Sequence, residues 1–148
     1  MVDLAYVEQL ADGDNHLAVL AASKADGSVQ ASVVSAGVLD DPVDGSPGVA
    51  LVAMGGSVKL RLLRERPQAT VVFKHGFQWA AVAGAVRLVG PDDGAEFGLD
   101  VPLTLRSVFV AAGGDHENWG EFDRVMAADR RCAVFVRASR ISANHGAS

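Results

Sequence analysis

The segment ATVVFKHGFQWAAVAGAVRLVG, residues 69–90, contains two runs of β-branched, aromatic and small apolar residues separated by a tight turn at HGF. Such runs, bounded by a glycine turn, are typical of two strands of a β-hairpin. Successive side chains of a strand point to opposite faces, so the second run has a face that carries Trp79 and alanines. We expect its other, aliphatic face to lie in the core; that face carries Val82, Gly84, Val86 and Leu88.

Further strands are predicted on both sides of this hairpin. HLAVLAAS (16–23), the turn KADG (24–27) and SVQASVVSAGVLD (28–40) form a second predicted hairpin. VALVAM (49–54) is a separate apolar strand, and CAVFVRASRIS (132–142) is predicted to be the last strand. Short strands in hairpin order, without crossover helices between them, favour a small antiparallel barrel over a parallel sheet.

Helices are predicted only at the periphery of this barrel. Asp3 is expected to cap a short amphipathic helix that ends near Gly13. Residues 102–112 and 116–130 have helical patterns, and Asp115 is the expected cap of the second. The predicted fold class is therefore mainly β (α+β), a barrel with peripheral helices.

Composition limits the classes of function. The chain has 148 residues, which suits one domain over residues 1–148, and 49% of them are hydrophobic. The net charge of −5 disfavours a nucleic-acid partner or an anionic membrane surface. No apolar run has the length of a membrane helix, and the N-terminus is acidic where a signal peptide is basic. The single cysteine, Cys132, indicates a reducing cytoplasm.

An unusual cluster of positive charge lies in MGGSVKLRLLRERP, residues 54–67. At about 100° per residue, Lys59 falls within the apolar arc of the predicted helix and in its first turn, where the helix dipole disfavours a cation. An anion would resolve this conflict: Gly55 and Gly56 would let the backbone approach it, and Ser57 would cap the helix or donate its hydroxyl. Phosphate is the simplest such ligand. The alternative is a solvated helix whose lysine extends to water.

The remaining reactive side chains predict no other site. There is no Walker or Rossmann glycine motif and no nucleophile elbow. Asp92 and Asp93 fit a loop or helix start, and Cys132 on an apolar strand fits a core position. No metal site is expected, because no pair has ligand spacing among the four histidines, His16, His75, His116 and His145.

The order and spacing of several segments resemble a known family. These are DGSVQASVVSAG (26–37), GGSVKLRLLRERPQATVVF (55–73), WAAVAGAVRLV (79–89) and NWGEFDRVMAADRRCAVFVRASRI (118–141). Together they resemble the pyridoxamine 5'-phosphate oxidase-like split β-barrels, most closely the actinobacterial group that uses the deazaflavin coenzyme F-420. The resemblance implies a six-stranded split β-barrel, the FMN-binding split barrel. It also implies a homodimer that binds its cofactor in a groove at the subunit interface.

The resemblance also implies a set of site residues. Lys59 would contact the cofactor phosphate, while Ser57 stands where other members have an arginine, so a second phosphate-binding cation is not expected. Ala83 stands where many members have glutamate, which leaves that acid without a counterpart. The GGSxK spelling is similar to the branch that includes biliverdin reductases. The residues expected at the cofactor are Ser32, Val33, Val34, Met54, Gly55, Gly56, Ser57, Val58, Lys59, Phe77 and Trp79.

The implied function is reduction by the F-420 cofactor of an electron-poor acceptor, such as a conjugated enone, a quinone or a bilin such as biliverdin. No catalytic acid or base is evident, so the proton would come from solvent or substrate. An FMN-binding oxidase is the first alternative. The second is a non-catalytic carrier of F-420, a bilin or haem. The loops at 41–48 and 92–116 would shape the substrate pocket.

Overall fold

The computed structural model describes residues 3–144, which form strands and helices in the order expected of a barrel. The first half contains α1 (Leu4–Gly13), β1 (Leu17–Ser23), β2 (Val29–Val38), β3 (Gly48–Ala53) and α2 (Val58–Glu65). The second half contains β4 (Gln68–His75), β5 (Gln78–Val89), α3 (Val101–Ala111), α4 (Trp119–Ala128), β6 (Cys132–Arg137) and β7 (Arg140–Ala143). A short 3₁₀ turn, Ala95–Phe97, precedes α3.

Six antiparallel strands close into a barrel. Their order is β4-β1-β2-β3-β6-β5, and pairing of β4 with β5 closes the ring. Both predicted hairpins are present, with Leu17 opposite Ser35 in the first and Lys74 opposite Trp79 in the second. The predicted six-stranded split barrel is therefore confirmed.

The prediction of one continuous last strand was wrong. The segment divides into β6, which pairs with β3 and β5, and β7, which adds to the other half of β5. The division lies beside Gly84 of β5, where an added Cβ would lie 2.0 Å from the carbonyl oxygen of Arg137. Only glycine permits this approach, and the chain turns at Ala138, whose N–H donates to the Pro47 carbonyl at 2.9 Å.

The helices begin largely where their caps predict. The Asp3 carboxylate accepts a hydrogen bond from the Tyr6 N–H at 3.2 Å and caps α1, as expected. The cap predicted for α4 was wrong: Asn118, not Asp115, accepts from the N–H of Glu121 at 3.1 Å. Asp115 and Asn118 both have side chains that can cap a helix, but only Asn118 stands directly before the first helical residue, Trp119. No helix within residues 3–144 is long and apolar enough to cross a membrane.

Two apolar cores hold the fold together. The first fills the barrel, where the inward faces of the strands meet α1 and the three buried leucines of α2; Leu51, Phe73 and Val82 are fully buried there. The second lies outside the barrel, between the outer faces of β3 and β6 and the helices α3 and α4, and includes Phe122 and Phe135. The aliphatic face predicted for β5 therefore does contribute to the core.

The outer face of β2, β1, β4 and β5 has a different character. A row of side chains crosses it from Val33 to Val19, then to Val72 and Ala81. Val33 is 68% exposed and Val19 36% exposed. We call this surface the outer sheet face; its members are Leu17, Val19, Ala21, Val29, Ala31, Val33, Thr70, Val72, Trp79 and Ala81.

Candidate functional site

A cavity of about 390 Å³ lies on the outer side of β2 and β3, between the start of α2 and the ends of α3 and α4. This volume is within the range typical of small-molecule sites. Its walls bring together three of the residues expected at the cofactor with several that the sequence did not indicate. The lining residues are Val33, Val34, Ser35, Val52, Lys59, Phe109, Ala112, Met126 and Arg131.

Lys59 enters the cavity from the first turn of α2. Ser57 Oγ caps the helix by accepting the N–H of Leu60 at 3.4 Å, so its hydroxyl oxygen serves the helix as predicted. Lys59 is half-buried, and among residues 3–144 no carboxylate lies within 4.0 Å of its ammonium. The N–H groups of Val58 and Lys59 in the same turn have no partner within the helix. This end of the cavity is therefore electropositive.

The two glycines before α2 have structural reasons of their own. Gly56 has a φ of +79°, which a side chain rarely adopts, so it makes the left-handed turn into the helix. Gly55 packs against the loop after α4, where an added Cβ would lie 2.6 Å from the carbonyl oxygen of Arg130. The side of Gly55 on which a Cβ would stand is therefore filled by protein backbone.

Arg131 is a second cation in the cavity wall, which the sequence analysis missed. The N–H of Arg131 donates to the Met126 carbonyl at 2.9 Å, and that of Arg130 to the Ala127 carbonyl at 3.1 Å. With Arg130 at a φ of +50°, this is the Schellman ending of a helix. The motif turns Arg131 back toward the cavity. In the sequence, a basic pair at a helix end predicts only interaction with the dipole.

Apart from Ser35, the rest of the cavity wall is apolar. Val33 and Val52 come from the sheet, and Phe109 and Met126 from the two covering helices. The Phe109 ring is fixed by an aromatic cluster, with its centroid 6.3 Å from that of Trp119 and 4.9 Å from that of Phe122. A cavity that has two cations and a largely apolar wall suits a ligand with an anionic group attached to a hydrophobic ring.

The other expected cofactor residues lie outside this wall. Met54 and Val58 flank the start of α2 and are about half exposed, at 47% and 45%. The buried residues of that helix are Leu60, Leu62 and Leu63. Ser32 precedes the part of β2 that lines the cavity, which begins at Val33.

Phe77 and Trp79 lie on the β4–β5 hairpin and do not line the cavity of their own chain. Phe77 is 95% exposed and Trp79 is 38% exposed. The Asn144 side chain fixes this hairpin: its amide donates to the Phe77 carbonyl at 2.7 Å and accepts the Trp79 N–H at 2.9 Å. Trp79 belongs to the outer sheet face, which Val33 shares with the cavity.

The described lining residues include no carboxylate, imidazole, thiol or phenol. Asp92 and Asp93 lie in the turn that follows β5, as predicted. There they make ion pairs with Arg130 and Arg64. Cys132 is buried, and burial raises the pKa of its thiol to about 12.

The described residues also offer no set of metal ligands. No three His, Cys, Asp or Glu side chains in residues 3–144 are placed to hold a metal ion. His145, one of the four histidines of the sequence, lies outside the described residues.

Comparisons with known proteins support the fold. No family model and no curated protein matches the chain. Among solved structures, a conserved hypothetical protein from Mycobacterium tuberculosis is similar at a TM-score of 0.67 and 19% identity, over 97% of this chain and 84% of that one. A pyridoxamine 5'-phosphate oxidase-related, FMN-binding protein from Nostoc punctiforme gives 0.61 and 11%, over 94% and 80%. An F-420 reductase gives 0.59 and 16%, over 91% and 94%. The chain therefore has the split β-barrel fold of pyridoxamine 5'-phosphate oxidase-like proteins, extended by a seventh strand.

Proposed function

We propose that this protein is a reductase that uses the deazaflavin coenzyme F-420, of the kind found in the actinobacterial group. The observation that carries the proposal is the placement of two cations, Lys59 and Arg131, in the wall of a cavity whose other lining residues, apart from Ser35, are apolar. A cofactor with a phosphate and a flat ring would match the two cations and the apolar lining respectively. The solved structure of an F-420 reductase with the same fold adds support.

The chain's own residues fit such a cofactor. Lys59 has no acidic partner among residues 3–144, so a phosphate would supply the counter-charge that it lacks. The first turn of α2 offers backbone N–H groups to the same anion. Val33, Val52 and Met126 present an apolar surface to a flat ring. Ser57 then acts as the cap that holds Lys59 in position.

The reduced deazaflavin, when bound, would supply a hydride to an electron-poor acceptor such as a conjugated enone, a quinone or a bilin such as biliverdin. The residues around the cavity would orient the two rings and exclude water from their contact. Because the described lining residues include no carboxylate, imidazole, thiol or phenol, the accompanying proton would come from solvent or from the acceptor. Lys59 and Arg131 would bind and position the phosphate, and neither is assigned a proton transfer.

We further propose a homodimer in which the outer sheet face is the interface. A two-fold axis along the strands, between β1 and β4, would lay β2 of one copy over β5 of the other. Ser35 of β2 pairs with Leu17 of β1, and Trp79 of β5 lies in the same row across β4. Three strand spacings of about 4.8 Å separate Ser35 from Trp79, which is about 14 Å. Trp79 of one copy would thus cover the cavity of the other. This arrangement also buries Val33 and Val19, which one copy leaves exposed.

FMN is the second candidate cofactor, and Arg131 favours it. The sequence offered only Lys59 as a phosphate-binding cation, which weakened the case for a flavin phosphate. The structure places Arg131 in the same cavity wall. Two cations are enough to hold the phosphate of FMN, and an FMN-binding protein shares the fold.

Turnover tests the proposed function. Purified protein is mixed with reduced F-420 and a panel of enones, quinones and bilins, and oxidation of the coenzyme is followed by its absorbance. We expect oxidation that depends on both protein and acceptor, and loss of it in Lys59→Ala but not in Arg61→Ala. Tight binding without turnover would replace the reductase by a carrier. Turnover with reduced FMN alone would move the assignment to the second candidate.

A further inference from the structure

Arg130 occupies a position that favours glycine. It directly follows Asp129, the residue that ends α4, and its φ of +50° is left-handed. Helices often end on a left-handed residue, and this is usually glycine because a Cβ makes the conformation costly. The conformation of Arg130 matters to the cavity, because the turn that it makes brings the next residue, Arg131, into the cavity wall.

The side chain of Arg130 has a specific partner. Its Nε donates to Asp92 Oδ2 at 2.9 Å and its Nη2 donates to Asp92 Oδ1, so the guanidinium and the carboxylate meet side by side. The side chain of Arg130 is 57% exposed and that of Asp92 is 45% exposed. A glycine at position 130 could not make this contact.

The turn that carries Asp92 is itself firmly held. The Gly90 N–H donates to the Asp93 carbonyl at 2.9 Å, and the Asp93 N–H donates to the Gly90 carbonyl at 3.3 Å. The Asp93 carboxylate accepts from Arg64 Nε at 2.9 Å and from Nη2 at 2.7 Å, and its side chain is only 13% exposed. These contacts tie the turn to α2, the helix that carries Lys59.

We infer that Asp92 is a positioning residue for the candidate site. It holds Arg130 in the left-handed conformation and thereby keeps Arg131 in the cavity wall. Asp92 does not line the cavity, so it acts only through Arg130. The inference rests on the proposed function in one respect, namely that Arg131 binds the cofactor phosphate.

A direct effect of the Asp92 charge on the ligand would have the opposite sign. The carboxylate is negative, so its removal from the neighbourhood of Arg131 would strengthen the binding of an anion. The loss of a support for Arg131 would weaken that binding. The direction of the change in affinity therefore separates the two roles.

Amide hydrogen exchange tests the support in the absence of any ligand. The Arg131 N–H donates to the Met126 carbonyl at 2.9 Å, so the protection factor of this amide reports how often the turn opens. We expect Asp92→Asn to lower the protection factor by about two- to fivefold, the range of an exposed ion pair. Glu8→Gln is the control for charge, because Glu8 is exposed on α1 and its substitution changes the net charge equally. It should keep the native protection.

Two substitutions of Arg130 remove the same charge but differ in backbone preference. Arg130→Ala loses the ion pair and keeps the cost of the left-handed conformation, so it should lower the protection factor of the Arg131 amide as Asp92→Asn does. Arg130→Gly should retain the native protection factor, because glycine adopts this conformation readily. In the Arg130→Gly chain, Asp92→Asn should have no further effect, since the side chain through which Asp92 acts is gone.

Ligand affinity measures the consequence at the cavity. Dissociation constants are determined for F-420 or FMN, whichever the native chain binds, and for the same ring and ribityl chain without the phosphate. Asp92→Asn should weaken the phosphate-bearing ligand by about two- to fivefold and leave the phosphate-free ligand unchanged. A general fault in the cavity would weaken both ligands equally.

Native protection of the Arg131 amide in Asp92→Asn would overturn the inference. Equal protection in Arg130→Ala and Arg130→Gly, equal weakening of both ligands by Asp92→Asn, or tighter binding of the phosphate-bearing ligand by that variant would overturn it as well. If the native chain binds neither cofactor, the proposed function fails, and hydrogen exchange decides the role of Asp92 by itself.

Discussion

The amide N–H of Gly55 donates a hydrogen bond to the backbone carbonyl of Asp129 at 3.1 Å. This bond joins the turn before α2, which leads to Lys59, to the turn after α4, which leads to Arg131. Two segments more than 70 residues apart in sequence thereby present their cations to one cavity. The shape of the proposed phosphate subsite depends on this junction.

Gly55→Ala should disturb the junction. The added Cβ would lie 2.6 Å from the Arg130 carbonyl oxygen, so the two turns must separate. We expect a loss of about 1 to 3 kcal/mol in the free energy of unfolding, the usual cost of overpacking, together with weaker cofactor binding. Gly120→Ala is the control: its Cβ would make only an ordinary contact at 3.5 Å in α4, and it should stabilise by up to about 1 kcal/mol. Chemical denaturation measures both, and equal effects would contradict this account of Gly55.

Lys59→Ala should weaken cofactor binding by about 1.5 to 3 kcal/mol, the size of a hydrogen bond to a charged group. Its stability should hardly change, because Lys59 makes no ion pair within residues 3–144. Arg61→Ala removes an exposed cation from the same helix and should leave affinity unchanged. Titration calorimetry with F-420 measures the difference. The same affinity in Lys59→Ala and the native chain would return Lys59 to the solvated-helix interpretation.

Val19→Lys should convert the proposed dimer into a monomer. Val19 lies at the centre of the outer sheet face but does not line the cavity, so an interface there would have to bury the new charge. Val110→Lys provides the control, since Val110 is 54% exposed on α3, away from that face. Light scattering should report a dimer for the native chain and for Val110→Lys. A native monomer would exclude the shared cavity.

Cys132 should resist thiol reagents in the folded protein. Burial raises the pKa of its thiol from 9.0 to about 12, so almost none of it is thiolate at pH 8. Above pH 9 the unfolded chain releases this proton while the folded chain keeps it. The contribution of Cys132 to stability is therefore present below pH 9 and is lost as the pH rises toward 12. Labelling at pH 8 should become fast only in denaturant; rapid labelling of the native protein would contradict its burial.

Local sequence patterns predicted most of the barrel. The Asp3 cap and the hairpins around 24–27 and 75–78 depend on residues close together in the chain, and such signals are readable without tertiary structure. The break of the last strand was missed because it depends on Gly84, which meets the backbone of Arg137 only after the barrel has closed. Asn118 prevailed over Asp115 for a similar reason, as the packing of α4 on the barrel fixes where the helix begins.

The candidate site was only partly predictable. Lys59 stood out because its position on the helix conflicts with both the apolar arc and the dipole. Arg131 had no such signal: its direction depends on the left-handed conformation of Arg130, an unusual one for arginine. Phe109 and Met126 look like ordinary core residues in their helices, and they become part of a site only where α3 and α4 cover the outside of β3.

The central claim is that the Lys59–Arg131 cavity binds a phosphate-bearing ring cofactor. Fluorescence titration of the native chain with oxidised F-420 and with FMN tests it most directly, because the Trp119 ring lies 6.3 Å from Phe109 in the cavity wall. We predict saturable quenching by F-420, which Lys59→Ala weakens by about tenfold or more. Absence of quenching by both cofactors, or equal quenching in the native chain and in Lys59→Ala, would contradict the claim.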